Sequence, residues 1–223
     1  MHKLDDLVDM IMCKEKSILF LDTCCVLDII RVFIRGHVPN LHAAVEIIEA
    51  AIPEYYIVFP SLINKEYRDN IDLVIHEVKK QIKKSHEFSK AFFEVIDFMK
   101  LQKVVIPSFE SYKIEELLLT ISDNILQKGF MLINEDLYAA NVLGRVVHNI
   151  PPSKQGKDST KDCMIFEEIL GLGDKLRSRG FDKSIVFASS NTQEYENESI
   201  LSELNSRSIQ YATSLHHGLF LVK

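Results

Sequence analysis

Four acidic side chains are placed where a folded chain could bring them together. Asp22 ends the apolar segment SILFLD, and Glu66 lies within a turn of the segment YYIVFP. Asp162 opens a helical stretch after a Pro-Pro loop, and Glu194 follows the segment SIVFAS by a few residues. Carboxylates a few ångströms apart cannot all remain ionised at neutral pH unless a cation neutralises them. Oxygen ligands without an organised set of His or Cys suit Mg²⁺ or Mn²⁺.

Each of these acids also has a purely structural interpretation. Asp22 could cap the helix that begins near Thr23. Glu66 and Asp162 could complement the positive end of a helix dipole, and Glu194 could be solvated in a polar loop. The catalytic interpretation depends on the set, because all four acids fall at the same edge of the inferred sheet.

Short apolar runs predict the elements that position these acids. Four runs are typical of buried strands, namely SILFLD (17–22), YYIVFP (55–60), SIVFAS (184–189) and SIQYAT (208–213). Helical stretches lie between them, at residues 41–52 with Asn40 as the predicted N-cap, and at residues 133–150. We therefore predict an α/β fold, a three-layer α/β/α sandwich around a mostly parallel sheet. Functional residues of such a sheet collect beyond the carboxyl ends of the strands.

One segment is unusually long. Residues 63–100 contain neither Pro nor Gly and repeat apolar residues at helical spacing, which predicts one very long helix or two in tandem. We expect a helical insertion, or arm, at about 67–100. Its lysines in KKQIKK (79–84) share one face and could be solvated or could contact nucleic acid. Four phenylalanines follow, and they are predicted to pack against neighbouring helices rather than to stack on bases: Phe88, Phe92, Phe93 and Phe98. Residues 149–159 and 188–199 are predicted to be loops.

Composition limits the class of protein. With 223 residues, of which 47% are hydrophobic, the chain is predicted to form a single domain over residues 1–223. The formal net charge of −6 excludes a general polycation, so any contact with nucleic acid must come from local patches. The N-terminal residues are unlike a signal peptide, no apolar run approaches the roughly 20 residues of a membrane span, and the cysteines lack zinc-site spacing. We expect a soluble, cytoplasmic protein that does not act at a membrane.

Taken in order, four segments resemble the acidic motifs of PIN-domain nucleases. They are FLDTCCVLD, INKEY, PPSKQGKDSTKDCMIFEEIL and IVFASSNTQEY. The sequence is most similar to the larger bacterial PIN-like proteins, whose third motif has the form K-D-S-x-x-D-x-x-I-x-E. The resemblance extends from residue 17 to about residue 213, although the segment between Lys65 and Lys100 exceeds a minimal PIN domain. It implies a metal-dependent endoribonuclease with Mg²⁺ or Mn²⁺ as cofactor.

The resemblance also implies roles for individual acids. It places Asp22, Glu66 and Asp162 in the catalytic metal site. Glu194 occupies a position where many members have aspartate, so it could bind metal directly, bind it through water, or be spare. Asp158, one helical turn before Asp162, could be a further metal ligand or the cap of that helix, and both alternatives remain open.

A further set of residues is predicted to contact the substrate or support the site. The set comprises Thr23, Asn191, Lys154, Lys157, Lys161 and Arg145. Thr23 matches a hydroxyl residue that often supports the first aspartate, and Asn191 could orient a phosphate. The resemblance favours RNA over DNA, and no feature of the sequence indicates which bases are read. A toxin, a defence nuclease and an RNA-processing enzyme would share this chemistry, and a homodimer and an inhibitory partner protein are both compatible with it.

Two other functions compete with this one. A catalytically silent PIN-like protein that binds RNA or acts as a scaffold is compatible with Glu194 in place of aspartate. A phosphatase of the haloacid-dehalogenase type also has an aspartate at a strand end, but its chemistry uses a D-x-D pair. Here the second position after Asp22 is Cys24, so the phosphatase is disfavoured.

Overall fold

Five short strands form the centre of the protein in a computed structural model that describes residues 1–50, 54–101, 105–133 and 136–223. The strands are β1 (Ser17–Leu21), β2 (Tyr55–Phe59), β3 (Phe130–Met131), β4 (Ile185–Ala188) and β5 (Ile209–Ala212). The helices are α1 (Leu4–Lys14), α2 (Thr23–Ile30), α3 (Val32–Arg35), α4 (Val38–Glu49), α5 (Ile63–Phe98), α6 (Ile114–Lys128), α7 (Ala139–His148), α8 (Thr160–Ser178), α9 (Thr192–Tyr195), α10 (Glu198–Asn205) and α11 (Leu215–Val222). Short 3₁₀ turns occur at Phe109–Tyr112 and Asp136–Tyr138.

The strands follow the order β3-β2-β1-β4-β5, and every neighbouring pair is parallel. Ile18 in β1, for example, lies opposite Tyr56 on one side and Ile185 on the other. The chain first builds outward from β1 through β2 to β3, and then returns to the other side of β1 for β4 and β5. The carboxyl end of β1 is therefore a topological switch point, where parallel sheets commonly form a cleft.

Helices cover both faces of the sheet, which confirms the predicted α/β sandwich. Leu19 and Leu21 face a core built with α2, α4, α5, α6 and α11. Ile18 and Phe20 point to the other face, where α1, α7, α8 and α10 pack. Because β1, β2 and β4 are buried on both faces, they read in the sequence as continuous apolar runs, whereas the edge strand β5 leaves Gln210 exposed.

Several details of the predicted elements were wrong. Strand β3 was missed because its two residues are too few to show any pattern. Helix α4 begins at Val38, so Asn40 lies inside it, where it is buried and its Oδ1 accepts a hydrogen bond from the His216 N–H at 3.1 Å. The predicted end of this helix at residues 51–52 lies outside the described residues. The segment 188–199, predicted as loop, contains the short helix α9.

Helix α7 is shorter than predicted, and the loop before α8 agrees with the prediction. A 3₁₀ turn precedes α7, which begins only at Ala139, and residues 134–135 of the predicted helix lie outside the described residues. Residues 149–159 form no helix or strand, and α8 begins at Thr160.

The long apolar pattern forms one continuous helix, α5, of 36 residues. Its first half packs into the core through Val74, Val78 and Ile82, but no residue of α5 beyond Ile82 is buried. Phe88, Phe92 and Phe98 are exposed, so the predicted packing is limited to contacts such as that between the Phe88 and Phe92 rings. Within the described ranges, no helix combines the length and the apolar character needed to cross a membrane.

Candidate active site

A cavity of about 210 Å³ opens at the carboxyl end of the sheet, beside the switch point. Asp22 reaches it from the end of β1, Glu66 from the first turn of α5, and Asp162 from the first turn of α8. Thr23 and Asn191 also line it. The fold therefore brings five of the predicted site residues to one cavity, although they are separated by up to 169 positions in the chain.

Asp22 is buried and does not cap a helix. It occupies the N-cap position of α2, yet its side chain makes no capping hydrogen bond. Its Oδ2 instead accepts hydrogen bonds from the Ser189 hydroxyl at 2.7 Å and from the Cys24 thiol at 3.0 Å. Burial raises the pKa of Asp22 well above its usual range, and the neighbouring Cys24 and Glu66 raise it further. The side chain thus bonds to Ser189 at the exit of β4 and to the thiol of Cys24 in α2, and not to a main-chain N–H of that helix.

Glu66 is held in place by the residue that follows Asp22. The Thr23 hydroxyl donates a hydrogen bond to Glu66 Oε2 at 2.7 Å, and Thr23 itself is buried. The Asn70 side-chain amide donates to the Glu66 main-chain oxygen one turn along α5. Thr23 therefore links the exit of β1 to the start of α5. Its hydroxyl supports Glu66 and is not free to bind a ligand in the cavity.

Asp162 is half-buried, and its environment mixes opposing charges. Burial raises the pKa of Asp162 to about 6; the nearby Lys157 opposes this rise, and the Glu194 and Glu66 carboxylates add to it. The Lys157 Nζ lies 3.8 Å from Asp162 Oδ2. The hydroxyl of the buried Tyr195 donates a hydrogen bond to the Asp162 main-chain oxygen, so α9 helps to position the start of α8.

Glu194 is buried beside the cavity but is not part of its wall. Its Oε1 accepts a hydrogen bond from Lys157 Nζ at 2.7 Å, and its Oε2 lies 3.3 Å from Lys154 Nζ. Burial by itself would raise the pKa of Glu194, but the hydrogen bonds and charges of the two lysines outweigh burial and lower it. Both lysines, predicted to bind substrate, are therefore engaged with one buried carboxylate.

Asp158 and Lys161, like Glu194, lie away from the cavity wall. Asp158 is exposed, and its Oδ1 accepts a hydrogen bond from the Thr160 N–H at 3.1 Å, a contact that fits the capping alternative. Lys161 is also exposed, and its Nζ lies 3.8 Å from Asp69 Oδ2. Neither side chain is placed among the residues that line the cavity.

Arg145 has a different role from the predicted contact with substrate. It is buried, and its guanidinium forms ion pairs with Glu167 and Glu203. It also donates a hydrogen bond to the main-chain oxygen of Pro151 and packs over the ring of Phe166. The arginine therefore ties α7, α8 and α10 to the loop before α8. The expectation that it reaches a substrate is corrected, because its donors are already engaged inside the fold.

Several residues of the cavity were not predicted. Cys24, Arg31 and Asn70 line it, and the hydroxyl of Ser189 donates a hydrogen bond to Asp22. Ser189 could have been found as a polar residue at the exit of an apolar strand. Arg31 carries no such signal, because it lies at the far end of α2, where its Nε is 3.3 Å from Glu77 Oε2.

The donor chemistry of the cavity fits a hard divalent cation, although no metal cluster is ready-made. Over the ranges that the structure describes, no three His, Cys, Asp or Glu side chains lie close enough to hold a metal ion as they stand. The acids that line the wall, Asp22, Glu66 and Asp162, offer only carboxylate oxygens, which Mg²⁺ and Mn²⁺ prefer. Their mutual repulsion contributes to the raised pKa values of Asp22 and Asp162. A cation that draws the three carboxylates together would relieve that repulsion.

Comparison with known proteins identifies the family. A protein-family model described as a PIN domain matches residues 19–195, which is most of the chain and includes every predicted acid. Searches among curated proteins and among solved structures find no significant match. PIN domains are generally nucleases and typically depend on Mg²⁺ or Mn²⁺. From the extent of this match, and from the parallel sheet with helices on both faces, the chain belongs to the PIN-domain family.

Proposed function

We propose that the protein is a divalent-metal-dependent endoribonuclease that hydrolyses phosphodiester bonds of RNA. The observation that carries this proposal is the convergence of Asp22, Glu66 and Asp162 on one cavity at the switch point of the sheet. In a family that consists generally of nucleases, such a set of acids is a suitable site for metal-assisted hydrolysis.

The residues of the cavity divide the work as follows. Asp22 and Asp162 would hold the cation, and Glu66 would complete the set of carboxylates. A divalent ion held there would supply a Lewis acid that lowers the pKa of water and offsets the negative charge of the phosphoryl group. The hydrogen bonds from Ser189 and Cys24 both use Oδ2 of Asp22, which leaves its Oδ1 available for coordination.

Because the protein is acidic overall, only positively charged side chains near the cavity can attract RNA, which is a polyanion. The net charge is −6, so the field of the whole molecule opposes RNA. Lys154 and Lys157 lie half-exposed beside the cavity, and Arg31 lies on its wall. These cations supply contacts to phosphates close to the reacting bond, without any feature that would distinguish bases. The choice of RNA follows the resemblance to PIN-domain ribonucleases.

Cleavage of mixed RNA in the presence of Mn²⁺ tests this function. We expect Asp22→Asn and Asp162→Asn each to lower kcat by about 10³-fold or more, because each removes a charge that acts on the cation in the transition state. Asp182→Asn is the matched control, since Asp182 is an exposed acid at the opposite, amino edge of the sheet beside Lys183. Wild-type rates in both cavity variants, or activity that is indifferent to a chelator, would refute the proposal.

A catalytically silent RNA-binding protein is the second candidate. It is favoured by the absence of a ready-made metal cluster in the described part of the chain, and by the lysines already paired with Glu194. Calorimetric titration with Mn²⁺ separates the two. A nuclease should bind Mn²⁺ at a defined stoichiometry, and Asp162→Asn should lower its affinity for the ion. A silent protein should bind RNA without specific uptake of Mn²⁺.

A further inference from the structure

Glu194 has two cationic partners, which sets it apart from the acids that line the cavity. Lys157 Nζ is 2.7 Å from its Oε1, and Lys154 Nζ is 3.3 Å from its Oε2. The carboxylate itself is only 3% exposed, so it has little access to solvent or to an incoming ion. Oε1 accepts a hydrogen bond from Lys157, whereas the buried Oε2 has no hydrogen-bond partner among the described residues and faces Lys154 only as an ion pair. The two ammonium groups together compensate the charge of the carboxylate. It is therefore poorly suited to bind a metal ion.

Lys157 links this buried pair to the cavity. Its Nζ lies 3.8 Å from Asp162 Oδ2 and 2.7 Å from Glu194 Oε1. The ammonium group therefore lies between the buried Glu194 and Asp162 on the cavity wall. The Lys157 side chain is 50% exposed, and so it remains accessible to a ligand that approaches the cavity. The contact with Glu194 restricts where this long side chain can place its charge.

Formal charges indicate how many ions the site needs. The four acids carry four negative charges when ionised, and the two lysines carry two positive charges. The balance leaves out Arg31 and Lys161, which are paired with Glu77 and Asp69. It also leaves out the buried Glu168, which lies outside the cavity wall and accepts a hydrogen bond from the Ser61 N–H. The remaining two negative charges equal the charge of one divalent ion. A second divalent ion would leave the site with excess positive charge before any substrate binds.

We propose, resting on the metal-dependent cleavage proposed above, that the site takes one divalent ion and that Lys157 supplies the second positive charge. In this arrangement Lys157 contacts the phosphate of the substrate, where a two-metal enzyme would use its second ion. Glu194 is a positioning residue that holds Lys157 in place. It is not a metal ligand, so of the alternatives that the sequence left open for Glu194 this proposal excludes both direct and water-mediated binding of the metal.

Metal stoichiometry is the first test, and its readout does not depend on activity. Mn²⁺ binding is measured by electron paramagnetic resonance and equilibrium dialysis on the full chain. We expect one Mn²⁺ per chain in the wild type and in Glu194→Gln, with similar affinity. Asp162→Asn should weaken binding by about 10-fold or more, because it removes a ligand. Two ions bound to the wild type, or a loss in Glu194→Gln as large as that in Asp162→Asn, overturns the inference.

Cleavage kinetics test the role of the lysine. Lys157→Met should lower kcat by about 10²-fold while one Mn²⁺ still binds, since a charge that stabilises the transition state is lost. Lys157→Arg should recover most of that rate because it restores the positive charge. Glu194→Gln should lower the rate through Lys157, so the double variant with Lys157→Met should be no slower than Lys157→Met alone. Independent, additive effects in the double variant contradict the positioning role.

The outcomes separate this inference from the proposed function. If the wild type binds Mn²⁺ and cleaves RNA but Lys157→Met cleaves equally well, only the inference fails. If the wild type binds no Mn²⁺, both fail. Circular dichroism establishes whether Glu194→Gln folds. If it does not fold, the inference is tested by the number of Mn²⁺ ions bound to the wild type and by the cleavage rates of the exposed-loop variants Lys157→Met and Lys157→Arg. Lys183→Met, at the opposite edge of the sheet, is the control for those rates.

Discussion

Folding makes the ionised form of two cavity carboxylates, Asp22 and Asp162, electrostatically unfavourable. Burial raises the pKa values of both Asp22 and Asp162, and neighbouring acids raise them further. An acid whose pKa rises on folding binds protons more tightly in the folded state than in the unfolded state. The free energy of unfolding then falls as the pH rises from the unfolded-state pKa to the folded-state pKa, and stays low above it. Such a cost at a functional site is common where a ligand is meant to relieve it.

Removal of one charge should therefore stabilise the protein without metal. In a chelator at pH 7.5, Asp162→Asn should raise the Tm by about 6 to 12 °C, because the pKa of Asp162 rises from 3.8 to about 6 on folding. This follows from about 1.4 kcal/mol per pKa unit and about 2–4 °C per kcal/mol for a chain of this size. The gain should shrink as the pH falls through about 6 and vanish near pH 4, since the wild-type side chain then takes up its proton. Thermal unfolding followed by circular dichroism measures this, and a lower Tm for the variant at pH 7.5 would contradict it.

Proton uptake should also compete with metal. Because Asp162 has a pKa of about 6 in the protein without metal, Mn²⁺ affinity should fall as the pH is lowered from 7.5 to 5.5. Calorimetric titration at several pH values measures the affinity. Asp158→Asn is the matched control, because Asp158 is exposed and outside the cavity wall, so its curve should coincide with that of the wild type. A pH-independent affinity would argue against Asp162 as a ligand, and a weakened Asp158→Asn would make Asp158 one.

At the scale of elements, the site depends on how the loop before α8 is anchored. The loop carries Lys154 and Lys157, and α8 carries Asp162. Arg145 in α7 holds the start of this loop through the main-chain oxygen of Pro151, and it holds α8 through Glu167. A buried arginine with two carboxylate partners and a main-chain acceptor has its donors satisfied, which makes it a rigid joint between elements.

Breaking this joint should be costly. Arg145→Met leaves the buried Glu167 without its cation, which should lower the free energy of unfolding by about 3–5 kcal/mol. The paired variant Arg145→Met/Glu167→Met removes both charges and should be clearly less destabilised than Arg145→Met. Urea unfolding monitored by circular dichroism compares the three proteins. Equal destabilisation of the single and the double variant would mean that the orphaned charge is not the cause.

The whole molecule combines a buried α/β core with a long helix that extends beyond it. Along α5, the buried positions end at Ile82, and the following turns carry exposed phenylalanines such as Phe98, which is 87% exposed. The core therefore does not depend on the distal part of α5. We propose this exposed part of α5 as the interface of the homodimer that the sequence allows.

Two substitutions in the same helix should show this division. Phe98→Ser should change the free energy of unfolding of the monomeric chain by no more than about 0.5 kcal/mol, as for other surface sites. Val78→Ala removes two buried methyl groups from a fully buried position and should cost about 1–3 kcal/mol. Urea unfolding at low protein concentration measures both. A large loss in Phe98→Ser would show that the distal helix is covered in solution.

Much of the fold and part of the site could be predicted because local patterns encode them. Buried parallel strands must be apolar on both faces, so β1, β2 and β4 appear as short apolar runs. Strand β5 could be found from its apolar residues around the exposed Gln210. Strand β3 could not be found, because its two residues show no pattern of their own and are held by main-chain contacts with β2 and His2. The start of α4 was misplaced because Asn40, a residue type common at caps, is used inside the helix to bind the main chain of α11.

The sequence alone determined the class of the fold, the order of its motifs and the acids at the strand exits, because burial and backbone geometry act on neighbouring residues. Only the tertiary structure decided what each charged side chain contacts. Glu194 is paired with Lys157, 37 positions earlier in the chain, and Arg145 is enclosed between Glu167 and Glu203. The strength of such contacts depends on distance and burial in the folded state, and no local pattern in a sequence records either.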